Sequence, residues 1–257
     1  MSLGMGRRAG YGRGQPAAAP QVRRHFGNSA ELRRYVRETF GPEVLLGFSR
    51  GKDAIAAWIA MDSQWDRIVP VYHYLIPGLE FEEESLTYFE KAFGSKIIRL
   101  PAPATYRMLR NLTFQAPENC SIVEGFNLPT YAYSDLWDHV RQLANAAGAI
   151  AATGTRAAES AVRRMCVRKH GALNPTKREF WAIYDWKMDD VVAAITKRGL
   201  KLPVEYRYFG RSFDGIDYRF MAPMKKHFPR DYARILEFFP LLELDLKRRE
   251  YAKRHAG

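Results

Sequence analysis

The chain of 257 residues is 47% apolar and 13% aromatic, carries a formal net charge of +12, and contains two cysteines, Cys120 and Cys166. Its length suits one large domain with an appendage. No apolar run reaches the roughly 18 residues of a membrane span and no apolar h-region opens the chain, so membrane and secreted classes are set aside, and both thiols read as reduced in a cytoplasmic protein.

Residues 1–27, rich in Gly, Arg, Ala and Pro, lack helix or strand periodicity and are expected to form a disordered basic leader. Asn28 followed by Glu31 matches a capping box and predicts a helix to Phe40, ended by Gly41 and Pro42. Strands and helices then alternate. "EVLLGF" reads as a buried strand, Lys52 to Met61 as a helix, and "RIVPVYHYL" as a strand. "FEEESLTYFEKAF" reads as a helix closed by Gly94, and "KIIRL" as a strand. A short helix follows Pro103, residues 111–130 read as irregular, and Tyr131 to Ala147 as a long helix. "GAIAATG" and "FWAIYDW" read as further strands, and Met188 to Arg198 as a helix ending at Gly199. Beyond residue 200 the alternation stops, and two helices are expected near 224–238 and 241–254.

The expected fold class is α/β: a doubly wound, mostly parallel sheet of about five strands with helices on both faces, plus a C-terminal helical appendage. The expected division is the leader over 1–27, an α/β domain over 28–200, and a lid or helical extension over 201–257.

The excess positive charge is concentrated in the tails. Residues 1–30 hold five arginines and no acid, and residues 246–257 carry a net +4, leaving +3 for the remainder. Basic tails suit DNA or RNA, but more often are solvated chain ends. One internal stretch is also basic: residues 156–178 hold seven cations against Glu159. Within it, Arg164, Arg168 and Lys169 either contact a polyanion such as DNA or tRNA or form a solvated helix face.

The stretch "FSRGKDA" sits between the first strand and the following helix. Ligands of an open parallel sheet bind outside the carboxyl ends of its strands, and the unpaired N–H groups of a helix N-terminus suit an anion. Ser49, Arg50, Gly51 and Lys52 are therefore candidate phosphate contacts, and Asp53 can orient the loop or hold Mg²⁺. No Walker A pattern is present. Arg156 and Arg163 follow "GAIAATG", at another strand's carboxyl end, and face the same crevice on this reading. Glu159 would fix one of their rotamers.

These residues resemble the phosphoadenosine phosphosulfate (PAPS) reductase family of the PP-loop ATP pyrophosphatases. Ser49, Gly51, Lys52 and Asp53 match its Ser-Gly-Gly-Lys-Asp-Ser loop, with Arg50 in place of the second-position glycine and Ala54 in place of the last serine. "IPGLEFEEESLTYF" is similar to its Thr-Gly-x-Glu-Phe element through Gly78, Glu80 and Phe81, with Pro77 in place of the threonine. "GTRAAESAVRR" matches its arginine motif at Gly154, Arg156, Glu159, Ser160 and Arg163, and Ile183, Trp186, Asp190 and Val191 match a later element. The resemblance implies an adenine nucleotide as ligand, either ATP with Mg²⁺ at Asp53 or PAPS. It implies catalytic roles for Lys52, Asp53, Arg156 and Arg163, and phosphate contacts from Ser49, Arg50, Gly51, Gly154 and Ser160. His73, Tyr74, Gly78, Glu80 and Trp186 are the candidate nucleotide pocket.

PAPS reduction needs a C-terminal cysteine, and the tail "DLKRREYAKRHAG" has none. Two cysteines also fall short of an iron–sulfur ligand set, so no such cluster is expected. The expected reaction is therefore cleavage of the ATP α–β bond to adenylylate an acceptor, in sulfur transfer or nucleic-acid modification. The alternatives are a PAPS reductase using Cys120 or Cys166, a non-catalytic nucleotide sensor, and a nucleic-acid-binding subunit working with a protein partner.

Overall fold

A computed structural model describes residues 25–255. The basic leader expected over 1–27 lies outside them up to residue 24. Helix α1 (Ser29–Phe40) starts at Asn28, whose side chain accepts from Glu31 N–H, while Glu31 accepts from Gly27 N–H at 2.9 Å. The Asn28 half of the capping box read from the sequence is present, while Glu31 reaches the N–H one residue before the cap. Strand β1 (Glu43–Gly47) leads into α2 (Lys52–Met61), β2 (Arg67–Tyr74) into α3 (Glu80–Phe93), and β3 (Ile98–Pro101) into α4 (Pro103–Arg110). Then come α5 (Pro117–Gly125), α6 (Tyr133–Leu143), β4 (Ile150–Thr153), a 3₁₀ turn (Ala157–Glu159) and α7 (Ala161–His170). A short hairpin, β5 (Leu173–Asn174) and β6 (Glu179–Trp181), precedes α8 (Met188–Arg198). The C-terminal part holds α9 (Tyr206–Phe209), α10 (Tyr218–His227), α11 (Pro229–Phe238) and α12 (Leu242–Arg254).

The six strands lie in the order β3-β2-β1-β4-β6-β5, all parallel except the β5–β6 pair. The chain moves outward from β1 through β2 to β3, then crosses to place β4 on the other side of β1. The carboxyl ends of β1 and β4 therefore flank the switch point of the sheet, where a crevice opens.

Period-two alternation assigns the two faces. Val44 and Leu46 join a core with α1, α2, α3 and α8, whereas Leu45, Val69, Val71 and Ala151 pack under Trp137 and Val140 of α6. A third cluster joins Ile76, Leu79 and Phe81 to Phe213, Phe220, Ile235 and Leu246. The α/β class is as expected, with one strand more than read from the sequence. Three differences have local causes. Residues 117–125 form α5, which Pro117 starts at a position that needs no amide donor. Pro229 divides the first C-terminal helix into α10 and α11, because a proline ring cannot continue a helix without losing a donor. "FWAIYDW" pairs only through its first residues and then turns at Ala182, where β6 runs out of partner strand. Among the described residues no helix is long and apolar enough to cross a membrane.

Candidate functional site

The crevice at the switch point is a cavity of about 590 Å³, lined from β1 by Gly47, Phe48 and Ser49, and from β4 by Thr153, Gly154 and Thr155. Asp53, His73, Glu159 and Arg163 also line it. The first turn of α2 opens here. Gly51 is its N-cap and supplies no side-chain acceptor. Lys52 N–H donates to the hydroxyl of Tyr206 at 3.1 Å. Among the described residues no acceptor meets Asp53 N–H or Ala54 N–H. The first turn thus keeps unpaired donors and a partial positive charge.

Asp53 joins the two candidate motifs. Its Oδ2 is 2.8 Å from Lys52 Nζ and its Oδ1 is 2.7 Å from Arg156 Nε. Arg156 is only 3% exposed and also donates to Trp186 O. Both carboxylate oxygens of Asp53 therefore face protein cations. Gly154 explains how closely the loops pack: a Cβ there would lie 2.4 Å from Asp53 O and 2.9 Å from Ala54 N. Only a hydrogen fits at that contact. At the rim Arg163 pairs with Glu159, which also accepts from Arg156 N–H. The orienting role expected of Glu159 has this geometry.

Arg50 differs from expectation. The sequence places it among the phosphate contacts, but its side chain is fully buried and outside the crevice lining. Its φ of 61° is left-handed, a conformation that costs a non-glycine residue about 1 kcal/mol. The side chain reaches Glu82 Oε1 at 3.0 Å and stacks near Tyr72 and Phe81. Its Nη1 lies 2.8 Å from Glu205 Oε1, an ion pair outside hydrogen-bond alignment. Burial pushes the Glu82 carboxyl up to about 7 against the pull of Arg50, and Tyr72 donates a short hydrogen bond to it. One guanidinium between two buried carboxylates favours retaining a proton.

Other expected site residues divide. His73 lines the cavity beside Tyr133 and Trp137, and desolvation lowers its pKa to about 4, so it is neutral near pH 7. Ser160 lies outside the crevice lining and caps α7, its hydroxyl accepting from Arg163 N–H at 3.1 Å. Tyr74, Gly78, Glu80 and Trp186 do not line the crevice. Tyr74 lines a second cavity with Tyr106 and Phe238, and Trp186 packs against the main core. Gly78 and Glu80 sit where the C-terminal helices dock, and Glu80 pairs with Arg230 at 3.1 Å. Neither Cys120 nor Cys166 reaches the crevice lining.

Sequence reading missed two contributors to the cradle, Tyr206 and Ser212. Their hydroxyls lie 3.3 Å apart, and a Cβ on Gly51 would come within 2.6 Å of Ser212 Oγ. The aromatic, arginine-rich character of residues 205–220 marked the segment, but no local pattern selected these hydroxyls. The cavity also has five lining carboxylates. Four are paired with cations: Asp53 with Lys52 and Arg156, Glu82 with Arg50, Glu159 with Arg163, and Asp214 with Arg211. The seven cations of 156–178 separate in the same way. Arg163 lines the crevice, the buried Arg156 braces Asp53 behind it, Arg178 donates to the Ala147 and Ala149 carbonyls, and Arg164, Arg168, Lys169 and Lys177 have no ion pair among the described residues.

Comparison with known proteins gave no matching family model and no matching curated protein. Solved structures of similar fold include two. One is the U34-tRNA thiolase NcsA from Methanococcus maripaludis with its [4Fe-4S] cluster, at 16% identity and a TM-score of 0.43, covering 83% of this chain and 78% of that one. The other is the NH3-dependent NAD synthetase from Campylobacter jejuni subsp. jejuni NCTC 11168 in complex with the nitrate ion, at 10% identity and a TM-score of 0.43, covering 87% of this chain and 92% of that one. At these identities and scores neither assigns a family or a reaction to this chain. The cofactor expectation is corrected. It set aside an iron–sulfur cluster on the count of two cysteines, whereas the U34-tRNA thiolase carries a [4Fe-4S] cluster. The Mg²⁺ expected on Asp53 is withdrawn too, because that carboxylate is shared between Lys52 and Arg156, and the described residues contain no group of three or more His, Cys, Asp or Glu suited to a metal ion.

Proposed function

We propose that the crevice binds the phosphates of ATP and that the protein is a PP-loop type enzyme transferring the adenylyl group to an acceptor oxygen. The observation that carries this reading is the α2 N-terminus at the switch point. Ser49, Asp53 and Ala54 line the crevice beside the arginine loop after β4, the N–H groups of Asp53 and Ala54 are unpaired, and Lys52 is held next to them by Asp53. An anion placed there meets donors already aimed at it.

On this reading the α2 first turn and Lys52 hold the β- and γ-phosphates, and Arg163 approaches the α-phosphate from the rim. The acceptor oxygen attacks the α-phosphorus, the bond from that phosphorus to the bridging oxygen breaks, pyrophosphate departs, and the acceptor proton passes to water. Asp53 and Arg156 position the two loops rather than touch substrate. The absence of any thiol from the crevice lining weighs against thiol-dependent sulfite release.

A panel of ATP, adenosine phosphosulfate and PAPS tests the reading by thermal shift and product analysis. A shift with ATP, together with pyrophosphate release in the presence of acceptor, is the expected result. No shift with any of the three rejects it, and release of sulfite from PAPS restores the reductase.

A further inference from the structure

We propose that the outer face of α7 is the docking surface for a single-stranded nucleic-acid segment that presents the acceptor to the crevice. The inference rests on the adenylyl-transfer reading for the word acceptor, and on α7 itself for the surface.

Helix α7 has no buried residue, although it starts directly after the arginine loop. Its half-buried side is Arg163, Cys166 and Val167, and Val167 packs against the main core. With 3.6 residues per turn, Arg164, Met165, Arg168, Lys169 and Val162 share the outward side. Val162 is 76% and Met165 67% exposed. At 100° per residue Arg164 and Arg168 run along one edge of this apolar ridge, and Lys169 falls between Met165 and Val162.

The charges distinguish this face from the other basic helix. In α12, Arg248 and Arg249 both pair with Asp245, Lys247 approaches Glu243, and Lys253 lies over the Tyr218 ring. Those cations already have local partners. Arg164, Arg168 and Lys169 have none among the described residues, so their charge is available to an external polyanion. The face also meets the site, since Arg163 on the inner side of α7 and Glu159 just before the helix line the cavity.

A strand fits better than a duplex or an acidic peptide. An acceptor must enter a cavity about 590 Å³ in size, which a base held in a duplex stack cannot do without being flipped out. Phosphates on the cations and unstacked bases on Val162 and Met165 would use both parts of the surface. The contacts are to backbone and base faces, so binding should tolerate sequence changes.

The test uses the full chain and labelled 20-nucleotide single strands of RNA and of DNA with one sequence, read by fluorescence anisotropy across a salt series. The R164A/R168A/K169A variant should weaken strand binding at least about tenfold and reduce the log–log salt slope by about two, from roughly 0.7 per lost phosphate contact. The K247A/R248A/R249A control should change little. RNA and DNA arms show whether the sugar matters. The α7 variant should keep the ATP thermal shift of the wild type, which also reports that it folds. Unchanged strand affinity in the α7 variant overturns the inference, as does an equal loss in the α12 control, tighter binding of the matched duplex, or displacement by polyglutamate at equal charge. Loss of the ATP shift in the wild type with α7-dependent strand binding intact overturns the acceptor role together with the nucleotide reading. An ATP shift without strand binding overturns only the docking surface.

Discussion

Lys52 and Asp53 are adjacent in sequence and opposite in task. Lys52 remains partly exposed at the cradle, whereas Asp53 is held between two cations. Lys52→Ala should weaken ATP binding about tenfold or more, the scale of one charge-assisted contact, and isothermal titration would measure it. An unchanged Kd would remove Lys52 from the cradle. Glu82 provides a pH signature. Its folded pKa of about 7 lies above its ordinary 4.5, so the folded chain holds that proton more tightly than the unfolded chain. The resulting stabilisation is complete below pH 4.5 and is lost as pH rises through about 7. Wild-type stability in urea should therefore fall relative to Glu82→Gln between about pH 5 and pH 8, and parallel pH profiles would contradict the assignment.

Two elements depend on distant residues at their starts. Helix α3 lacks a side-chain N-cap of its own, and Asp231 of α11 accepts from Glu80 N–H and Phe81 N–H instead. Asp231→Ala should cost about 1 kcal/mol in chemical denaturation, with Asp231→Asn costing less. The α2 start depends on the fit of Gly154 against Asp53. Gly154→Ala should destabilise by about 2 kcal/mol, because backbone rather than a mobile side chain blocks the added methyl. A loss much below 1 kcal/mol in thermal unfolding would mean that the β4 loop shifts freely. The Asn28 cap of α1 and the Gly199 terminator of α8 were legible because each is completed within four residues. The cap on α3 was not, since its donor and acceptor lie about 150 residues apart in sequence.

At the level of the whole molecule, Arg50 connects the cradle to the C-terminal part. It reaches Glu82 of α3 and Glu205 just before α9, while Tyr206 and Ser212 lie over Gly51. Leu241 N–H donates to Phe114 O and Gln115 to Phe238 O, giving a second attachment. Breaking a buried pair leaves an uncompensated charge, so Arg50→Ala should cost about 3 kcal/mol. Hydrogen exchange should then rise first over residues 205–220, and uniform protection across the chain would refute the anchoring role.

Local pattern alone determined the α/β alternation, the loop between β1 and α2, and the placement of the arginine motif at a second strand end. Each is written in contiguous periodicity and turn residues. Tertiary structure decided which charges are available. The sequence carries the same guanidinium at Arg50, Arg156 and Arg164, yet one is a buried anchor, one a strut between loops, and one an open surface charge. Side-chain direction and the partner met across the fold decide among these roles, and neither is encoded in a residue's immediate neighbours. For the same reason "FSRGKDA" could be placed at a strand end from its flanking periodicity, while the inward turn of Arg50 became visible only with Glu82 and Glu205 in position.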